Sequence, residues 1–286
     1  MPGTKSASQV SHRVTVSRIR QAVIYWLVAL PAIAQSFATI TIKPARSGLP
    51  RDERVQVRPG GEWVASAISV GRLMDLAYGL PANGSPRFSG LPNWTLTEKY
   101  DIEATEPATI HADLPDIEVR TRIQQMIRRL LSDRFALVMR VETKSMAVYA
   151  LTVASEGPKL QKSGVPQKDC AFHTGPEVCH SFDGGLGHPL NARAIDMDDL
   201  VHYMENWTDL PVVNRTALGG LFTVNTEGWI PMRLPPPPPG PTPTANPFAG
   251  LPTIFTVLGK LGLELKRQDD VLPVYTVERI EHPTAN

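Results

Sequence analysis

The chain has no concentrated run of positive charge. Of its 29 lysines and arginines, four (Lys5, Arg13, Arg18 and Arg20) fall in residues 1–34, where there is no acid. The remainder therefore carries 25 basic against 28 acidic residues, a net charge of −3. A nucleic-acid surface neutralises phosphates with a dense basic face, so no nucleic-acid partner is expected. Long apolar runs are also missing: Ala22 to Leu30 is about half the ~20 residues that a spanning helix needs. The familiar hydrolase signatures are absent too, with neither a G-x-S-x-G elbow nor an H-E-x-x-H zinc helix. Cysteine is scarce, at two residues. Proline is not: its 27 residues are about twice the ordinary share and they cluster, which marks connectors rather than core.

What is present begins with an export pattern. A basic segment ending at Arg18 and Arg20 precedes the apolar run, and Ala32-x-Ala34 has the small residues of a cleavage site. Residues 1–34 therefore read as a signal peptide, with Gln35 the new N-terminus and a periplasmic or extracellular destination. An uncleaved membrane anchor is the competing reading, and it is the only expected membrane contact. Export into an oxidising compartment favours a Cys170–Cys179 disulfide.

Hydrophobic content of 42% and charged content of 20% describe an ordinary globular protein. The most legible stretch is Ile123 to Val153. Ile123, Met126, Ile127, Leu130 and Leu131 fall at helical spacing, and the period then shifts to two at Phe135, Leu137 and Met139. A turn is expected at Lys144-Ser145, followed by a strand from Met146 to Val153. A similar order closes the chain: a helix from Ile254, a Leu263/Leu265 strand, a turn at Gln268–Asp270 and a strand containing Val274-Tyr275. Earlier elements include strands at Phe37–Pro44, Trp63–Ile68 and Lys99–Ala104, and a helix capped by Ser69. Ala45 to Gly61 and Gly90 to Trp94 read as loops, and Pro107 to Pro115 as a connector. Asp196 and Asp198 cap and charge a later helix start.

The expected architecture is α+β: two related helix-strand-strand-helix-strand-strand units after the signal peptide. The first spans 35–153 and the second 194–286, the latter interrupted by a proline-rich insert at 233–250. Residues 154–193, rich in Gly, Pro, Lys and Ser, are expected to form an irregular linker pinned by the disulfide.

Several motifs in one order resemble the "soil-associated protein" family of exported acidobacterial proteins, a domain of unknown function. They run from Ile42-Lys43-Pro44 through Leu73-Met-Asp-Leu-Ala-Tyr78-Gly79, Gly90-Leu-Pro-Asn-Trp94, Lys99-Tyr-Asp-Ile-Glu-Ala104 and Leu130-Leu-Ser-Asp-Arg-Phe135. Met146-Ala-Val-Tyr-Ala-Leu151, Asn214-Arg-Thr-Ala-Leu-Gly-Gly220, Leu261-Gly-Leu-Glu-Leu265 and Val277-Glu-Arg-Ile-Glu-His-Pro283 continue the resemblance. It implies no catalytic residues. Related domains attached to membrane-embedded metallopeptidases of the β-lactam-sensor type imply a sensing or binding role. The duplicated unit also looks like the short N-terminal domains of secretins and TonB-dependent receptors, which are interaction modules.

Residue chemistry supplies few sharper leads. No metal site and no cofactor are expected; the competing reading is a zinc site using His173, His180 and His188. Gly184 to Gly187 reads as a flexible loop rather than a phosphate cradle. Asp101 and Glu103 share one face of a strand, where solvated charge is the ordinary outcome. Trp94, Tyr100, Trp207, Phe222 and Trp229 form the candidate binding surface. The expected function is an extracytoplasmic, non-catalytic binding or sensing module for an envelope protein, peptide or glycan, with an envelope hydrolase as the alternative.

Overall fold

The structure is a computed structural model, and it describes residues 36–45, 53–58, 62–81, 84–105, 116–170, 179–234 and 248–284. The signal segment, the 107–115 connector, the proline run at 235–239 and His173 lie outside the described residues. All described residues belong to one compact unit.

An antiparallel sheet of order β1-β5-β3-β2 comes first, built from β1 (Thr39–Pro44), β2 (Arg54–Arg58), β3 (Glu62–Ser69) and, later in the chain, β5 (Lys99–Thr105). Ser69 ends β3 and caps α1 (Val70–Tyr78), its hydroxyl accepting from Arg72 N–H at 3.2 Å. Gly79 closes that helix in the left-handed conformation, φ 63°, where a side chain would be strained. After β4 (Phe88–Ser89) and the short α2 (Trp94–Thr97), α3 (Asp116–Phe135) lies against α1. Its buried stripe contains the Met126, Ile127, Leu130 and Leu131 that helical spacing predicts, and Arg128 Nε donates to Ala77 O at 2.7 Å. One expected loop is thus corrected, and the Gly90 to Trp94 loop holds up to Asn93. Arg54–Arg58 alternates Val with polar residues and pairs with β3, and Trp94–Thr97 winds into one helical turn.

The larger correction concerns the two expected hairpins. There is no turn at Lys144-Ser145 or at Gln268–Asp270. β6 (Val138–Val153) and β12 (Leu263–Arg279) run straight through and pair antiparallel with each other, Val153 opposite Leu263 and Val138 opposite Arg279. Lys144-Ser145 offers neither the Gly or Asn at positive φ nor the Pro that tight turns use, so nothing there opposes extension. At about 3.3 Å per residue, the ribbon is about 50 Å long.

Residues 154–193, expected to be irregular, contain β7 (Gln161–Lys162), β8 (Phe182–Gly185) and most of β9 (His188–Ile195). Gly184 to Gly187 is the β8–β9 hairpin and not a phosphate loop. After α4 (Met197–Glu205) come β10 (Val212–Asn214) and β11 (Phe222–Asn225), then α5 (Ile254–Lys260). β7, β11, β9 and β8 form a second sheet, while β10 and β4 flank the ribbon. The five helices and twelve strands of the described residues, in three small sheets, are the α+β class that the sequence predicts.

Among the described residues, beside a small cluster of Cys170, Ala194 and Leu221, there are two large apolar cores. One gathers Phe37, Trp63, Leu73, Met74, Ile102, Leu130 and Phe135. The other gathers Leu190, Ile195, Leu200, Met204, Phe222, Val224 and Leu258. The ribbon is anchored in both: Leu137, Val277 and Ile280 end in the first, Leu151, Leu263 and Leu265 in the second. Its middle is solvated, with Val141 and Val271 among the exposed hydrophobics.

Candidate functional site

Where α1 and α3 face the start of α4, a pocket of about 600 Å³ opens. Its walls are largely apolar: Trp63 from β3, Leu76 and Leu80 at the end of α1, Ile123 and Ile127 from α3, and Phe182 from β8. Asp75, Arg120, Gln124, His180, Asp199 and His202 supply polar groups.

Local chain geometry places each of these. Cys170 and Cys179 are joined by a disulfide, as the sequence predicts. Cys179 forms a β-bridge with Ala194, and His180 N–H donates to Ala194 O at 2.8 Å. That bridge brings His180 beside the start of α4, two residues on from Ala194. There Asp196 is the N-cap: its Oδ1 accepts from Asp199 N–H at 2.8 Å, and Asp199 Oδ2 accepts from Asp196 N–H at 3.1 Å. The second carboxylate of this capping box points inward. Asp199 is 5% exposed; its Oδ2 lies 2.6 Å from His180 Nδ1 and its Oδ1 accepts from Arg120 Nη1 at 3.1 Å.

The electrostatics follow from burial and partners. Burial alone would push the Asp199 carboxyl up, but the hydrogen bond to His180 and the charges of Arg120 and His180 hold it below the usual range. Asp196 is pushed up, first by burial and then by the Asp199 charge. Burial also lowers His202, aided by Arg72 and Arg120. On the opposite wall, Asp75 is raised to about 7 by burial, an effect Arg72 opposes and Glu53 reinforces. Pockets that collect perturbed groups of this kind are where binding and catalysis concentrate.

The aromatic residues singled out from the sequence do not come together. Tyr100 is buried in the first core, edge-on to Phe135, while Phe222 and Trp229 are buried in the second, Trp229 edge-on to Tyr203. Trp94 is half-buried and stacks on His282 at 4.1 Å, and Trp207 is half-buried against the second core. Five residues spread over two cores make no common surface, because large rings gain most by leaving water. Among the described histidines, His188 is exposed on the β8–β9 hairpin. Among the described residues, the potential metal ligands brought within 4.8 Å of one another are His180, Asp196 and Asp199, without His188; His173 lies outside the described residues. Asp101, paired with Glu103 on one strand face, supports the backbone of its neighbour strand. Its Oδ1 accepts from Ala67 N–H at 2.9 Å, where β3 shifts register.

The sequence gives no sign that Asp75, Arg120, Gln124 and His202 meet, and it marks Asp199 only as a helix-start charge. The Asp-x-x-Asp spacing of 196 and 199 is the available signal, since position N3 of a capping box must turn back toward the cap. The pairing with His180 has no sequence signal, because it depends on the Cys179–Ala194 bridge.

A search among curated proteins and a search among solved structures each return no match. A family model does match, over residues 71–280, which takes in most of α1, all of α3 and α4 and both strands of the ribbon. The chain belongs to the family described as "Protein of unknown function (DUF3738)".

Proposed function

We propose that this protein is an extracytoplasmic, non-catalytic binding or sensing module, and that the pocket between α1, α3 and α4 holds its ligand. The observation that carries this reading is the pocket itself. About 600 Å³ is the size of a drug-sized molecule or a short peptide segment, and apolar walls with a few fixed polar groups are the usual make-up of a binding site. Among the ligand classes of the envelope, a peptide segment with apolar side chains fits best. Its side chains would meet Leu76, Ile123 and Phe182, and its amides would meet Gln124 and Arg120. The export signal, the finer resemblance to soil-associated exported proteins and the likeness to secretin and TonB-receptor interaction domains all support a role outside the cytoplasm. Among the described residues, no helix is long and apolar enough to cross a membrane.

The test is ligand capture from an envelope extract by the purified protein, read by native mass spectrometry. Gln124→Trp, which fills the pocket from a half-buried position on α3, serves as the control. A bound mass present on the wild type and missing from Q124W supports the reading; equal capture by both refutes the pocket as the site.

The hydrolase reading has one specific observation in its favour. A buried carboxylate orients His180 at 2.6 Å, the arrangement that prepares an imidazole for acid–base work. The described residues lining the pocket include no serine, threonine or free cysteine, so the attacking group would be water. Turnover in a panel of peptide and ester substrates, lost in His180→Asn, would establish it.

A further inference from the structure

The group formed by His180, Asp196 and Asp199 has a geometry that helix capping does not explain. Asp196 uses only Oδ1 to cap α4. Its Oδ2 turns toward the imidazole and stops 3.9 Å from Nδ1, beyond hydrogen-bond reach, with the side chain 30% exposed. Capping needs one acceptor, yet here a second carboxylate oxygen is aimed at a ring nitrogen that already faces Asp199 Oδ2.

We propose that these three side chains bind one first-row divalent cation of the zinc or manganese class through His180 Nδ1, Asp196 Oδ2 and Asp199 Oδ2, with water completing the shell. Ligand atoms about 2.1 Å from such a cation lie about 3.0–3.4 Å apart. The two nitrogen–oxygen separations, 2.6 Å and 3.9 Å, bracket that value, and the three ligand atoms all lie within 4.8 Å of one another. One imidazole and two carboxylates suit zinc or manganese rather than a soft, thiolate-preferring ion, and the nearby cysteines are committed to their disulfide.

The surrounding hydrogen bonds have the form of a metal site's outer shell, in which ligating carboxylates are held by further partners. Arg120 holds Asp199 through Oδ1, and Asp199 N–H holds Asp196 through Oδ1. Asp196 thus has Oδ1 fixed by a donor and Oδ2 turned toward His180, while Asp199 Oδ2 faces His180 and also accepts from Asp196 N–H at 3.1 Å. The ligands also sit on fixed backbone, His180 between the disulfide and the Ala194 bridge and both aspartates at the first turn of α4. His180 itself has φ 51°, a left-handed conformation that aims its side chain toward the helix start. His180 and Asp199 also line the pocket, so the cation sits in its wall.

The test uses the purified full chain with its disulfide intact, stripped with a chelator and titrated with ZnCl₂ and MnCl₂ by calorimetry and with CoCl₂ by visible absorption. Two variants keep the fold. Asp196→Asn retains an equally good N-cap, and His180→Asn places at φ 51° one of the few residues that adopts it readily. One equivalent of zinc or manganese is expected to bind at micromolar Kd or tighter. Each variant should weaken that binding at least tenfold, and zinc should raise the unfolding midpoint of the wild type only. No saturable binding of either ion overturns the site, and so does stoichiometric binding that survives both substitutions.

Discussion

Replacing Asp75 by Asn should change how stability depends on pH. Asp75 lies on α1 in the pocket wall, and burial raises its carboxyl from the ordinary 3.8 to about 7. An acid whose folded value lies above its unfolded value keeps its proton in the native state after the unfolded chain has lost it. The native state is therefore favoured below about pH 4, and that advantage is lost as pH rises from about 4 to 7, with no further change above. A rise from 3.8 to about 7, at 1.36 kcal/mol per pH unit, corresponds to about 4 kcal/mol. Asp75→Asn keeps the shape and removes the titration. Urea unfolding followed by tryptophan fluorescence, with Trp63 in the same pocket, should give a wild-type-minus-variant difference that moves by about 4 kcal/mol between about pH 4 and pH 8. The variant should be the relatively more stable protein at the alkaline end. Asp196, Asp199 and Glu205 titrate in both proteins, so they cancel in the difference. A difference that stays flat across this range would refute the claim that Asp75 is desolvated.

Breaking the disulfide with Cys170→Ser and Cys179→Ser should cost about 2–3 kcal/mol by the loop-entropy estimate, measured by chemical unfolding. The same change should weaken any metal binding, because His180 follows Cys179 directly. Gly262→Ala should destabilise by about 3 kcal/mol or more in thermal unfolding, since φ is 69° and a Cβ would sit 2.1 Å from Gly157 O, a backbone atom with little room to move. Arg87 and Glu205 form an ion pair at 3.0 Å with side chains 12% and 6% exposed. Glu205→Leu alone should cost about 3–5 kcal/mol by stranding the arginine, and adding Arg87→Met to it should recover most of that loss, with Arg87→Met alone completing the cycle. Additive losses in that double-mutant cycle would show that the pair does not couple.

Elements whose period is self-contained are legible in the sequence. The α3 stripe, the Ser69 and Asp196 caps, the Lys99–Thr105 strand and the disulfide all follow from residues close in sequence. The expected hairpins at Lys144-Ser145 and Gln268–Asp270 fail because period-two alternation does not say where a strand ends. Continuation is decided by a partner more than a hundred residues away, since Met146 pairs with Asp270 and Lys144 with Leu272. The same distance hides the site. Asp75, Arg120, His180 and Asp199 come from four separate segments, and no local pattern in any one of them points to the others. Tyr100, Phe222 and Trp229 mislead for a different reason: an aromatic side chain reads alike whether it forms a surface or fills a core.

The long ribbon also sets a condition on how the chain acquires its structure. Pairing Val153 with Leu263 closes residues 154–262 into one loop, at an entropic cost of about 4 kcal/mol plus a constant before any distant contact rewards it. The first core itself waits for Val277 at the far end of β12 and Ile280 just beyond it. A fragment ending near residue 153 would expose the surface these two side chains cover, so the early half cannot finish folding while the rest is still being made. Folding of this chain should be slow and all-or-none, gated by the arrival of residues 263–280, and sensitive to their removal out of proportion to the number of residues lost.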